Sequence, residues 1–192
     1  HAIRLLIDAA HPFATELHRT VSATADTLGL PVVRVERTYP KRSEDVVWCK
    51  DYADAIHRLQ QDGISRLLAL TGVQTIGKLK VFWQKHTCWF RILKREDSLA
   101  IARAQGFDER YLVYYEQERE EEALLSEFRP QAILTKESGE SGGFREKVEA
   151  ARKWDIPVYV IQRPVLPKTF IPVTGENGLR KQIEYHVPDF YP

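Results

Sequence analysis

The chain has 192 residues, 43% hydrophobic and 29% charged, enough to bury a sizeable core as one globular unit or two small ones. The 28 Lys and Arg against 27 Asp and Glu leave a formal charge of +1, so no global field draws the protein onto nucleic acid or an anionic membrane, and any anion site is local. No run approaches the roughly 18 apolar residues of a membrane span, and the N-terminus lacks the order of a secretory signal, so a cytoplasmic protein without a membrane partner is expected.

Apolar runs of strand length alternate with helix-period segments from end to end, which predicts an α/β protein with mostly parallel sheets. A strand over residues 3–7 leads to a helix over 13–28 stopped by Gly29, then to strands over 31–36 and 46–49. A helix over 51–61 ends near Gly63, followed by a strand over 66–70, a helix over 74–82 and a strand over 87–92. A helix over 96–104 ends near Gly106, and a strand over 110–114 precedes a helix over 117–127. The acidic run at 116–122 suits the positive end of that helix as a solvated face. Strands over 131–135 and 157–161 flank a helix over 143–153. The remaining residues, 166–192, carry Pro167, Pro172, Pro188 and Pro192 and read as a Pro-rich arm or connector, with a return strand possible near Thr174-Gly175-Glu176. Cys49 and Cys88 sit in apolar runs without CxxC spacing, which predicts two buried thiols. The chain contains no Met and a strand-like run starts almost at once, so it is expected to be a piece of a longer protein.

Gly29–Arg37 (GLPVVRVER) matches Asp155–Arg163 (DIPVYVIQR) at an offset of 126, which also sets Ile7 over Ile133. Each copy reads as strand, polar loop, helix, a Leu-Pro or Ile-Pro step into the next strand, and an Arg at its end. Two βαβ units that merely look alike and two related α/β lobes both remain open.

Ligands of open α/β sheets bind where strands end, and three polar loops follow predicted strands. After the first come Asp8, His11 and Pro12: Asp8 at a strand's carboxyl end, an imidazole three residues on, and a Pro suited to the first helical position. Asp8 and His11 are candidates for proton transfer or orientation, with local turn hydrogen bonding as the alternative. Thr71-Gly72 offers a hydroxyl and close backbone approach to an anion, or simply a cap. The loop from Lys136 through Ser138 and Gly139 to Gly143 sets three glycines and two serines beside a lysine, as an anion cradle of free N–H groups would need, or as a plain flexible loop would have. Arg91 and Arg163 add cations at other strand ends. The loop has neither GxxxxGK[ST] nor GxGxxG spacing, and the chain shows no metal-ligand spacing and no GxSxG elbow, so no metal is expected.

Taken together, Ile7-Asp8-Ala9-Ala10-His11-Pro12-Phe13-Ala14, then Leu70-Thr71-Gly72, then Thr135-Lys136-Glu137-Ser138-Gly139 running through Lys147–Arg152 to Ile156-Pro157-Val158 and Arg163-Pro164 resemble, in order and spacing, the precorrin-6A reductase family of cobalamin biosynthesis. The resemblance covers about residues 3–165. The family's first motif usually has Thr where this chain has Ala10, which removes any role for a hydroxyl there and keeps Asp8, His11 and Pro12.

The resemblance implies two Rossmann-like lobes with parallel sheets facing each other across a cleft, the first incomplete here: residues 1–45 as its remainder, 46–165 as the second lobe and 166–192 as the arm. It implies transfer of hydride from NADPH to a double bond of precorrin-6A or cobalt-precorrin-6A. Thr71 and Gly72 would then meet the cofactor, and Arg91, Lys136, Ser138, Gly139 and Arg163 the carboxylates of the tetrapyrrole. Asp8, His11 or a water would supply the proton. It further implies that the family's Gly-Gly-Thr phosphate turn precedes His1, that residues 1–192 alone bind NADPH weakly and are inactive, and that a fused enzyme of the same pathway could follow. The alternatives from other classes are a non-catalytic lobe binding an acidic small molecule and a lobe supporting a fused enzyme.

Overall fold

A computed structural model describes residues 3–116 and 121–190. The eight predicted strands are all present: β1 (Leu6–Asp8), β2 (Val32–Glu36), β3 (Val47–Cys49), β4 (Arg66–Ala69), β5 (Thr87–Ile92), β6 (Leu112–Tyr114), β7 (Ala132–Lys136) and β8 (Val158–Ile161). A ninth, β9 (Phe170–Thr174), lies in the segment expected to be an arm. The helices are α1 (Thr15–Leu28), α2 (Tyr52–Gln61), α3 (Lys80–Trp83), α4 (Glu96–Ala104), α5 (Glu121–Phe128), α6 (Phe144–Lys153) and α7 (Gly175–His186). Residues 117–120 of the acidic run, and of the helix predicted over 117–127, lie outside the described residues.

The chain divides into two compact units, one of residues 1–40, 138–142 and 163–192, the other of residues 41–137 and 143–162. The boundary expected at 45 thus falls at 40. The tail joins the first unit through β9, which pairs in parallel with β2. Pro172 within β9 is tolerated because β9 is an edge strand of the order β1-β2-β9, where one side of the ladder needs no donor.

The second unit holds a six-stranded parallel sheet in the order β3-β8-β7-β4-β5-β6. Counted from its middle, the chain runs outward through β4, β5 and β6, then returns to the other side of β4 for β7 and β8, with β3 closing that edge. This is the doubly wound Rossmann-like order, with the last strand supplied from upstream in the chain. Its central strands are buried on both faces, with Leu67, Leu68 and Ala69 at 0% exposure, as continuous apolar runs require. Leu68, Ile133, Val158 and Val160 pack with Leu124, Leu125 and Phe144 in one core. The first unit has a far smaller cluster of Ala25, Val32 and Phe170.

Local chemistry sets the ends of the elements. Gly29 takes φ 63° after α1, and Leu30 N–H closes onto Ala25 O at 2.9 Å. In the second copy of the repeat Asp155 holds the same left-handed position at φ 52°. Both copies are βαβ units with adjacent parallel strands, β1-α1-β2 and β7-α6-β8. Asp51 caps α2 by accepting from Asp54 N–H at 2.9 Å, and Asp54 accepts from Lys50 N–H at 2.8 Å. The helix predicted over 74–82 is broken into two 3-10 turns before α3. Thr75 bonds back to Gly72 O, and a Cβ at Gly77 would stand 2.7 Å from Gln105 Oε1, so no larger residue fits there without moving Gln105. Both cysteines are buried; burial raises both thiols, that of Cys49 to about 11. No helix among the described residues is long and apolar enough to cross a membrane.

Candidate functional site

In the second unit, β4 leads toward β5 on one side and β7 toward β8 on the other, so the switch point of the sheet lies between the carboxyl ends of β4 and β7. Two of the predicted segments flank it: Thr71-Gly72 after β4 and Lys136 at the end of β7. Leu70 N–H donates to Leu134 O at 2.8 Å, which ties the two strand ends together. Gly72 has φ 82°, a conformation suited to glycine, and a Cβ there would have nothing within 4 Å, so the space beside this backbone is open. The Thr71 hydroxyl is buried and shares a 2.6 Å hydrogen bond with Thr75. Burial, together with the Lys78 charge, lowers the Lys136 amine to about 8. Glu137, next along the chain, is held by Arg42 at 3.2 and 2.9 Å.

Arg91 stands at the carboxyl end of β5, but its Nη1 donates to both oxygens of Glu121 at 2.9 and 2.8 Å. Its side chain is 10% exposed, so its charge is already matched inside the protein.

In the first unit Asp8 is buried at the end of β1, where it accepts from Ala10 N–H at 3.0 Å and from Arg34 Nη1 at 2.8 Å. Arg34, also fully buried, donates through Nε to Glu36 at 2.8 Å. Burial opposes the Arg34 charge, but the hydrogen bonds to Glu36 and Asp8 outweigh it and raise the pKa. His18 lies 3.4 Å from Asp8, and burial lowers its pKa. Pro12 does not open α1 as expected. It sits in a turn closed by Ala14 N–H on His11 O at 2.8 Å, and α1 starts three residues later. The exposed His11 accepts from Phe13 N–H through Nδ1 at 3.2 Å, which leaves the ring proton of the neutral form on Nε2.

Ser138, Gly139 and Arg163 do come together, around Arg37 and Tyr39 just past β2. Arg37 Nη1 donates to Ser138 O at 2.9 Å, and the Arg163 guanidinium lies 3.7 Å from the Tyr39 ring centre. A Cβ on Gly139, at φ 76°, would stand 2.9 Å from Thr38 O, which is why glycine is needed there. Part of the expected cradle of free N–H groups is engaged within the fold. Glu140 N–H donates to Thr38 O, Gly142 N–H to Gly139 O, and the Ser138 hydroxyl to Gly142 O. These three donors are committed within the fold, and the Arg37 and Arg163 guanidinium groups stand beside the loop.

Sequence reasoning missed Arg34, Arg37 and Tyr39. Arg34 interrupts a valine run and reads as a solvent-facing residue, yet it pairs in register with Asp8 on the neighbouring strand. The repeat carried a signal, since Arg34 takes the place that Val160 fills in the other copy, a core position.

A family profile described as precorrin-6x reductase CbiJ/CobK matches residues 1–181. The chain belongs to that family. Among curated relatives, it is 32% identical over 165 residues to a cobalt-precorrin-6A reductase of Methanothermobacter thermautotrophicus, covering 83% of this chain and 54% of the relative. It is 27% identical over 169 residues to one of Synechocystis, covering 85% and 65%. To a precorrin-6A reductase of Rhodococcus erythropolis it is 30% identical over 178 residues, covering 87% and 66%. The chain thus spans about half to two thirds of the length of these relatives. A solved structure described as CobK precorrin-6A reductase superposes with a TM-score of 0.75 at 20% identity, covering 96% of this chain and 74% of that one, which supports the Rossmann-like architecture.

Proposed function

We propose that this protein reduces one double bond of a corrin-precursor tetrapyrrole, precorrin-6A or its cobalt form, with NADPH, in cobalamin biosynthesis. Family membership over residues 1–181 carries the reading. The residues at the switch point fit it: the open space beside Gly72 admits the close backbone approach that a cofactor phosphate needs, so Thr71 and Gly72 are assigned to the cofactor. When bound, the reduced nicotinamide supplies hydride.

Reduction places hydride on one carbon and a proton on its neighbour, so the protein must position a proton donor. His11 is assigned that role ahead of Asp8, because Nε2 carries a proton in the neutral ring whereas Asp8 is committed to Arg34. Lys136, Ser138, Gly139 and Arg163 are assigned to substrate carboxylates. Arg91 is left out because Glu121 already neutralises it.

The intact protein, given NADPH and either precorrin-6A or cobalt-precorrin-6A, is expected to oxidise NADPH with one of them and release the dihydro product. No turnover with either substrate, by folded protein that still binds acidic tetrapyrroles, would contradict the reading and favour a non-catalytic binding lobe.

A further inference from the structure

At the carboxyl end of β2, two buried donors have no hydrogen-bond partner among the described residues, Arg34 Nη2 and the Tyr39 hydroxyl. Buried donors are almost always satisfied, so a pair of exceptions calls for an acceptor. The other donors of Arg34 named above, Nε and Nη1, are committed to Glu36 and Asp8, which fixes the guanidinium plane and the direction of Nη2. Tyr39 is fixed as well. The Arg163 guanidinium covers its ring at 3.7 Å, and a Cβ on Gly139 would come within 3.4 Å of its Cε1 and 3.1 Å of the Arg37 Cβ. Burial is the main influence raising the Tyr39 pKa, so the phenol stays protonated and donates.

We propose that Arg34, Tyr39 and Arg163 form a carboxylate-binding site, walled by the Ser138–Gly139 turn that Arg37 holds in place. The guanidinium of Arg34 beside the unmet phenol, with that of Arg163 over the Tyr39 ring, suits a negatively charged acceptor. A phosphate dianion beside Asp8 and Glu36 is disfavoured by like-charge repulsion, whereas one planar carboxylate offers an oxygen to each unmet donor. The inference rests on the proposed function for its ligand, an acetate or propionate arm of the macrocycle.

The intact protein can be titrated with uroporphyrin III, a porphyrin bearing acetate and propionate arms, by tryptophan fluorescence. Tyr39→Phe keeps the ring beneath Arg163 and removes only the O–H. It is expected to weaken porphyrin binding roughly tenfold or more, and Arg163→Gln at least as much, with NADPH affinity unchanged in both. The melting temperature of Tyr39→Phe should hold or rise, because an unmet buried donor has gone. No porphyrin binding by the unsubstituted protein, unchanged affinity in both variants, a loss of NADPH affinity instead, or a lowered melting temperature for Tyr39→Phe would each overturn the site. Reductase turnover separates the two claims. Turnover with porphyrin affinity unmoved by the substitutions sinks the site and leaves the function; weakened binding in a protein without turnover sinks the function and leaves the site.

Discussion

Replacing Arg34 with Met is expected to destabilise the first unit by about 3–5 kcal/mol, because removal of one partner leaves the buried Asp8 and the partly buried Glu36 without their counter-charge. Arg34 has a fully buried side chain, and Asp8 beside it is 6% exposed, so water cannot take over when the guanidinium is lost. The apolar cluster beside it is small, Ala25, Val32 and Phe170 with Leu6, Val21, Leu30 and Leu166 packed against them, so the ion cluster is a large part of what holds β1 against β2. Adding Asp8→Asn and Glu36→Gln to Arg34→Met should recover much of the loss, because a buried ion cluster and a neutral one of similar shape differ far less than either differs from a broken one. Chemical denaturation of the four proteins gives the answer. A loss below about 1 kcal/mol for Arg34→Met would mean that Asp8 and Glu36 reach solvent and that the cluster does not support the fold.

Lys136→Met is expected to act in opposite directions on stability and on binding. Burial holds the Lys136 amine at about 8 against an ordinary 10.5, so the folded protein carries a charge that its surroundings disfavour. A depressed lysine binds fewer protons folded than unfolded between those two values. Its penalty is therefore fully present below pH 8 and is relieved as pH rises from about 8 to 10.5. Removing the amine should raise stability at pH 7 by about 1–3 kcal/mol and abolish that rise with pH. The same substitution in the intact protein should weaken binding of the acidic tetrapyrrole roughly 10- to 150-fold, the worth of one charged hydrogen bond. Binding to the unsubstituted protein should fall as pH passes through about 8, where the amine loses its proton. A variant less stable at pH 7, or one that binds tetrapyrrole as before, would make Lys136 a structural residue.

Periodicity and stop signals placed eight strands because each is an apolar run bounded by a turn residue, and the offset of 126 marks the two βαβ copies in the sequence itself. The tail gave only a return strand near Thr174, where β9 ends, and α7 escaped; Pro172 argues against a central strand, and the edge position that tolerates it is a property of the sheet order. The broken helix before β5 escaped for a similar reason, since the contact of Gly77 with Gln105 is made only in the folded chain. At the site, Thr71-Gly72 and Lys136 were legible as strand-end residues, and the sheet order then set them on either side of one switch point. Partnership was not legible. That Glu121 neutralises Arg91, that Asp8 anchors Arg34, and that Glu140 and Gly142 N–H are taken by Thr38 and Gly139 all depend on pairings distant along the chain or on local backbone geometry.

The most direct measurement incubates the intact protein with NADPH deuterated at its transferring carbon, in ordinary water, with precorrin-6A and with cobalt-precorrin-6A in parallel. Reduction as proposed gives a dihydro product carrying one deuterium on a ring carbon and one solvent hydrogen on its neighbour, seen by mass spectrometry and NMR. Unaltered substrate in both reactions, or a reduced product with no deuterium, would contradict it.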